Sequence, residues 1–592
     1  MARLSALRYA TALLGVAVGM RAAETPLPAE IRRDVQLRAM LDELQRSKTL
    51  HLKDLDEPYF VQYSVSDSNQ LTVTASLGGI TSSNRLHLRQ PRVAVRVGSY
   101  KFDNTNSVFS REANSGLFPV DDNYGAMRTA LWLLTDASYK AATDEIARKR
   151  NALREIAEPD PVPDFAPAKP TTVILSSTNS EVDQQAWESL AGRLSGRFRL
   201  FPEVATSNVR LRQITSTYRV ANTEGTVIRI PQDLADIEIR ATALAGNGTR
   251  VWNHRLIALL EAGQLPSEED LNNAVDSVAR ETRDLTRAAV AEDYTGPVLF
   301  EGEAAAEMMA QVLTDALRLQ RKPLAPPEEA ARAQPLESVW ASRAGAKVAP
   351  DWLTIVDDAR ERSFHGQVLA GQYDVDDEGV PATRVTLVEK GTLKNFLSSR
   401  EPVAGYDSSN GHGRLPGPFE SEQAVIGNLF VQAAETVSGA ALKAKLIENV
   451  KAAGLKYGLL IRRLDFPSTA RVEELEGLEQ QLQKNGYSRT LTPPLLAFRV
   501  YPDGREELVR GFRFGDFSAK NLRALEGASS ESFVLNYITN GSAFNIADAG
   551  SDATLSSVVC PSLLFNNVEL LRADNEAAKA PAVPPPALIT RR

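Results

Sequence analysis

Few side chains in this 592-residue chain can do metal or nucleophile chemistry. There are five histidines and one cysteine. His51, His87, His254, His365 and His412 form no i,i+3 or i,i+4 pair, so no single helix offers two imidazoles to one metal. His412 lies in Asn410-Gly-His-Gly-Arg414 and reads as a solvated loop residue, with a ligand or substrate contact as the other reading. Cys560, in Ser556-Ser-Val-Val-Cys-Pro-Ser-Leu-Leu-Phe565, reads as a packed apolar thiol on a buried strand; the other reading is a reactive or ligating thiolate. Asp374-x-Asp376-Asp377-Glu378 could attract a hard cation, but it lacks the spaced loop of a calcium site and reads as a turn. There is no Gly-x-Ser-x-Gly elbow. Gly78/Gly79 and Gly246/Gly248 lack the strand–loop–helix spacing of a phosphate cradle.

Gly296-Pro-Val-Leu-Phe-Glu-Gly-Glu-Ala-Ala-Ala-Glu-Met-Met-Ala-Gln-Val-Leu-Thr-Asp315 reads as a strand, a small-residue turn and a helix. It ends in Ala310-Gln311-Val312-Leu313-Thr314-Asp315. No histidine occurs between His254 and His365, so no shift of register brings one into this helix. Ala310 has no donor atom, the Gln311 amide takes up no proton near neutral pH, and Asp315 alone is a weak oxygen ligand. Positions 310 and 315 sit about 140° apart on a helix and could share a metal only if it ended or kinked between them.

Four later segments occur in a telling order. They are Arg343-Ala-Gly-Ala-Lys-Val-Ala-Pro-Asp-Trp-Leu-Thr-Ile-Val-Asp-Asp358, Tyr373-Asp-Val-Asp-Asp-Glu-Gly-Val-Pro-Ala-Thr-Arg384, Val388-Glu-Lys-Gly-Thr-Leu-Lys-Asn-Phe-Leu397 and Glu507-Leu-Val-Arg-Gly-Phe-Arg-Phe-Gly-Asp516. Together with the 296–315 segment they resemble the TldD/PmbA family of zinc peptidases, also known as modulators of DNA gyrase. The resemblance implies a two-domain α+β fold with mixed and antiparallel sheets and packed helices. It implies peptidase activity on peptide or protein substrates, and a homodimer or a heterodimer with a TldD/PmbA paralogue. One branch of the family carries His-Glu-x-x-x-His on the helix after the strand, holding zinc with two His and a distant Cys, the motif Glu serving as general base. Here those positions are Ala310, Gln311 and Asp315, and Cys560 abuts the final Pro-x-Leu strand instead of lying well upstream of it. Zinc is expected for the family but its ligands are missing, so the expectation is no cofactor and no catalytic residue. The chain then reads as a peptide-binding or partner subunit that has lost its zinc site. An active peptidase with a rebuilt or non-family metal site stays open, as does an envelope scaffold.

Net charge is −8, without the clustered Lys/Arg that nucleic acid requires. Arg3 and Arg8 precede the apolar run 9–20, with small residues after it, as in a secretory signal. Cleavage near Ala22 would lower the basic count from 67 to 64 against 75 acidic residues, a net charge of −11. The expectation is therefore an exported, periplasmic or extracellular protein. The expected organisation is a signal over 1–22, an α+β half over 30–292 and a β-rich half over 296–572, with a disordered tail over 573–592. A Pro-rich linker is expected near 158–170 and an exposed loop from Arg321. Helices are expected near 30–55, 124–156, 267–291, 438–453 and 473–485. Separate strands are expected over 59–65 and 71–77, divided by a polar turn.

Overall fold

The computed structural model describes residues 28–50, 53, 55–111, 113–155, 161–176, 182–332, 338–415, 423–466, 491–539 and 554–573. The expected signal, the helix at 473–485 and the tail beyond residue 573 lie outside them.

The first sheet is built on three long strands. β1 (Pro58–Ser76) pairs antiparallel with β2 (Gly79–Ser99) on one side. On its other side lies β4 (Val204–Asn222). A short strand, β3 (Thr172–Ile174), runs parallel to β5 (Val227–Pro231), which pairs with the second half of β4. β6 (Leu234–Leu244) pairs with the first half of β4, and β7 (Arg250–Leu259) with β6. Helix α1 (Val35–Ser47) and helix α2 (Tyr124–Leu153) pack against this sheet and each other, burying Leu37, Met40, Leu131 and Ile146 with Val61, Tyr63 and Val95. Helix α3 (Gln184–Gly196) and helix α4 (Glu268–Arg287) cover a second core around Leu211 and Ile237. Ser267 caps α4 by accepting the Asp270 N–H at 3.1 Å, and the acidic first turn suits the positive end of the helix.

The two expected strands over 59–65 and 71–77 are one strand. Asp67, read as part of a turn, sits in mid-strand opposite Arg89, whose Nε lies 2.9 Å from its carboxylate. His87 Nε2, at 2.8 Å, and Gln36 Nε2, at 2.6 Å, complete its partners. Opposite charges across the ladder offset the low strand propensity of Asp.

The second sheet centres on β16 (Thr554–Arg572), nearly every residue of which is buried until its last turns toward solvent. β8 (Tyr294–Phe300) runs antiparallel to it and β11 (Asn428–Ala433) parallel, while β15 (Leu525–Thr539) covers its other edge. Beyond β11 come β9 (Leu353–Asp357) and β10 (Val385–Glu389). Beyond β8 come β12 (Gly458–Leu464), β13 (Pro494–Val500) and β14 (Glu506–Arg510). Helix α5 (Glu303–Ala316) lies on one face, and helix α6 (Gly439–Ala452) packs Leu442, Leu446 and Val450 over Leu299 and Leu460. Ala304, Ala305 and Ala306 let α5 approach closely, and buried Met308, Met309 and Leu313 each contribute about 2 kcal/mol of transfer free energy.

The segment expected as a Pro-rich linker has no regular structure over 161–170, but it is anchored and partly buried. Asp164, Phe165 and Ala166 are all buried. Lys149 Nζ lies 2.6 Å from Asp164 Oδ2. Arg321, expected in an exposed loop, reaches Asp164 Oδ1 at 3.1 Å and the Val162 carbonyl at 2.7 Å. A buried carboxylate between two cations fixes backbone that prolines keep out of both helix and sheet.

Candidate active-site helix and its surroundings

α5 begins where the chain leaves β8 at Gly302, whose φ of +49° is readily accessible to glycine and whose N–H donates to Ser562 Oγ at 3.0 Å. The helix then runs unbroken to Ala316. Thr314 Oγ1 donates back to the Ala310 carbonyl at 2.6 Å, and because the helix continues past both positions, 310 and 315 stay about 140° apart and their side chains diverge. Ala310 is 2% exposed. Gln311 is engaged at both ends, its Oε1 accepting the Thr492 N–H at 3.1 Å and its Nε2 donating to the Glu307 carbonyl at 3.3 Å. Asp315 faces Arg318, 3.3 Å away. Among the described residues, no group of three or more His, Cys, Asp and Glu side chains could hold a metal ion.

One turn before Gln311, sequence reasoning missed Glu307. It is 3% exposed, and its Oε2 accepts the Leu464 N–H at 2.7 Å. Burial, with the charge of Glu303 added, holds its carboxyl well above the ordinary carboxylate range. Around it, Arg463 reaches Glu303 at 3.3 Å, Glu281 at 3.0 Å and Asn253 at 3.2 Å. His254 Nε2 lies 3.0 Å from Asp465 Oδ1, which also accepts from Trp252 Nε1 at 3.3 Å. This cluster joins β7 and α4 of the first sheet to α5 and β12 of the second. Four of its members, His254, Glu303, Glu307 and Arg463, line a cavity of about 20 Å³, room for one water. The spacing Glu303, Glu307, Ala310, Thr314 was the available signal: it places two carboxylates on the same face as the motif position.

His412 is a correction to the solvated-loop expectation. It is 0% exposed, with Nε2 3.1 Å from Asp357 Oδ1 and Nδ1 2.9 Å from Asn410 Oδ1. The acidic 374–378 segment is a turn, as expected, but Asp376, Asp377 and Glu378 are buried in it and only Asp374 is exposed. Asp376 accepts the N–H groups of Glu378, Val380 and Gly413 at 2.8–3.1 Å; burial still pushes its carboxyl up to about 7. Asp377 holds Arg414 Nε at 3.0 Å and the Leu415 N–H at 2.8 Å, and Glu378 accepts the Arg400 N–H at 2.8 Å. These carboxylates are spent on backbone and guanidinium donors and do not converge on a common point. Cys560 is fully buried on β16, its thiol donating to the Pro561 carbonyl at 3.2 Å, and burial alone pushes the thiol far above its usual range.

Residues 293–467 match the sequence model of the PmbA/TldA metallopeptidase C-terminal domain. A metalloprotease of Methanocaldococcus jannaschii is 36% identical over 83 residues, 14% of this chain and 17% of that protein. A metalloprotease of Synechocystis is 26% identical over 204 residues, 34% of this chain and 39% of the other. The matched segments thus span less than half of these relatives. The fold extends further: TldE from Thermococcus kodakarensis superposes with a TM-score of 0.53 at 14% identity, covering 90% of this chain and all of that one. A protein from Bacteroides thetaiotaomicron, described as a candidate modulator of DNA gyrase, gives 0.55 at 11% identity, over 92% of this chain and all of its own.

Proposed function

The chain belongs to the TldD/PmbA family of metallopeptidase-like proteins, and from that premise we propose that it is a member without the zinc site. It binds an extended peptide or completes a complex with a metal-bearing paralogue. The observation that carries this reading is the state of α5. A catalytic zinc needs about three protein ligands and one open position. Position 310 carries a methyl group, the amide at 311 is occupied at both ends, and 315 points elsewhere on an unbroken helix. The donors present do not fit the metal. The buried Cys560 thiol resists ionisation and offers no thiolate. Export is part of the reading and rests on Arg3, Arg8 and the apolar run that follows.

A second reading, a rebuilt hydrolytic site, has one observation in its favour. Glu307 and His254 line the same small cavity one helical turn from Gln311. Peptidase assays on the purified protein with unfolded and short peptide substrates, with and without a chelator, test the proposal. The expected result is no cleavage in either condition. Chelator-sensitive cleavage would overturn it, and chelator-resistant cleavage abolished by Glu307→Gln would favour the rebuilt site.

A further inference from the structure

A cleft outside the α5 region lies where β3 and its neighbours in the first sheet meet the segment from Arg362 to Val375. It encloses about 310 Å³. One wall is apolar, from Val173 and Leu175 at β3, Ile230 at the end of β5 and Leu260 after β7. Asp233 and Glu261 line it as well; Asp233 accepts the Ser216 N–H at 3.2 Å and Glu261 the Gln264 amide at 3.4 Å, and neither has an ion-pair partner among the described residues. The cleft's cation, Arg362, is already held by Asp374 and by Gln372 Oε1 at 2.8 Å. Burial, with Glu261 adding its charge, pushes the Asp233 carboxyl up to about 6. A cation between the two carboxylates would relieve both costs.

β3 has β5 as its single described neighbour. The Val227 N–H donates to the Thr171 carbonyl at 2.8 Å, and the Leu175 N–H to the Arg229 carbonyl at 2.8 Å. Strand alternation therefore turns the N–H and C=O groups of Thr172 and Ile174 toward the open edge. A strand added there projects alternate side chains onto the face that Val173 and Leu175 occupy, over the cleft.

We propose that this cleft receives a lysine or arginine side chain of an extended peptide paired along the open edge of β3. The stem lies on Val173, Leu175 and Ile230, and the cationic head sits between Asp233 and Glu261. The inference rests on the peptide-binding reading above and names the side chain that reading leaves open. Apolar walls suit the methylene stem, while the unneutralised acidic pair selects its charge.

Fluorescence anisotropy of the full chain with three labelled peptides tests it. They share one alternating apolar sequence and differ only in a central lysine, norleucine or glutamate. The lysine peptide is expected to bind about tenfold more tightly than the norleucine peptide, and the glutamate peptide most weakly. The double variant Asp233→Asn/Glu261→Gln should lose the lysine preference and keep norleucine binding, and each single variant should lose part of the preference. Ile174→Pro should weaken all three peptides by blocking the edge. Equal binding of lysine and norleucine peptides, or a preference that survives the double variant, overturns the cation pocket while leaving peptide binding intact. Binding of none of the three overturns the pocket and the peptide-binding reading together.

Discussion

His412 Nε2 and Asp357 Oδ1 lie 3.1 Å apart, and neither side chain reaches solvent. Asp357 closes β9 and its other oxygen accepts the Gly427 N–H at 3.1 Å, so the pair ties the His412 segment to the approach to β11. His412→Ala would leave a buried carboxylate with one backbone donor. The expected cost is about 3 kcal/mol, read as a lower urea midpoint for unfolding of the second sheet. A loss below about 0.5 kcal/mol would mean that water replaces the ring at no cost.

Glu307 carries the pH prediction. Its folded value stands well above the ordinary 4.5, because burial and then Glu303 oppose its charge. The folded chain therefore keeps a proton that the unfolded chain has released. Stability falls as pH rises from about 4.5 through the folded value. Glu307→Gln keeps an acceptor for Leu464 N and cannot ionise, so this part of the slope should vanish. Urea unfolding from about pH 5 to about pH 9 should show the variant gaining on the wild type as pH rises. Parallel profiles would show that Glu307 ionises in the fold as it does in the unfolded chain.

Asp164 joins Lys149 of α2 to Arg321 after α5. Asp164→Asn should cost about 3 kcal/mol by leaving a nearly buried ammonium without its counter-charge. Hydrogen exchange should rise across 161–166 and around Arg321. Exchange unchanged in both places would place the anchoring in Phe165 instead, whose ring lies between the Arg96 and Arg400 guanidinium groups at 3.8 and 4.1 Å.

Local signals in the sequence carried the elements whose causes are local. The helices expected near 267–291 and 438–453, and the β8–Gly302–α5 succession, were readable because hydrophobic periodicity and turn chemistry act within a few residues. The continuity of β1 was not, since Asp67 is accommodated by Gln36, His87 and Arg89, at least 20 residues away in the chain. The His412 loop misled for a similar reason. Its flanking glycines suggest mobility, whereas their role is close approach. A side chain on Gly411, at φ +81°, would meet the Pro381 carbonyl, and one on Gly413 would meet the Glu378 carboxylate. On α5 the identity of each motif position was legible. The occupation of Gln311 by Thr492 was not, because 181 residues separate them.

The central claim, that α5 lacks the donor atoms to grip a divalent ion, is tested most directly by metal stoichiometry. The folded protein is dialysed to equilibrium against micromolar zinc, gel-filtered and assayed for bound metal, alongside Ala310→His/Gln311→Glu/Asp315→His. The account predicts wild-type zinc well below one ion per chain, a value the triple variant can only equal or exceed. One tightly held zinc per wild-type chain, lost on substitution of Asp315, would contradict it.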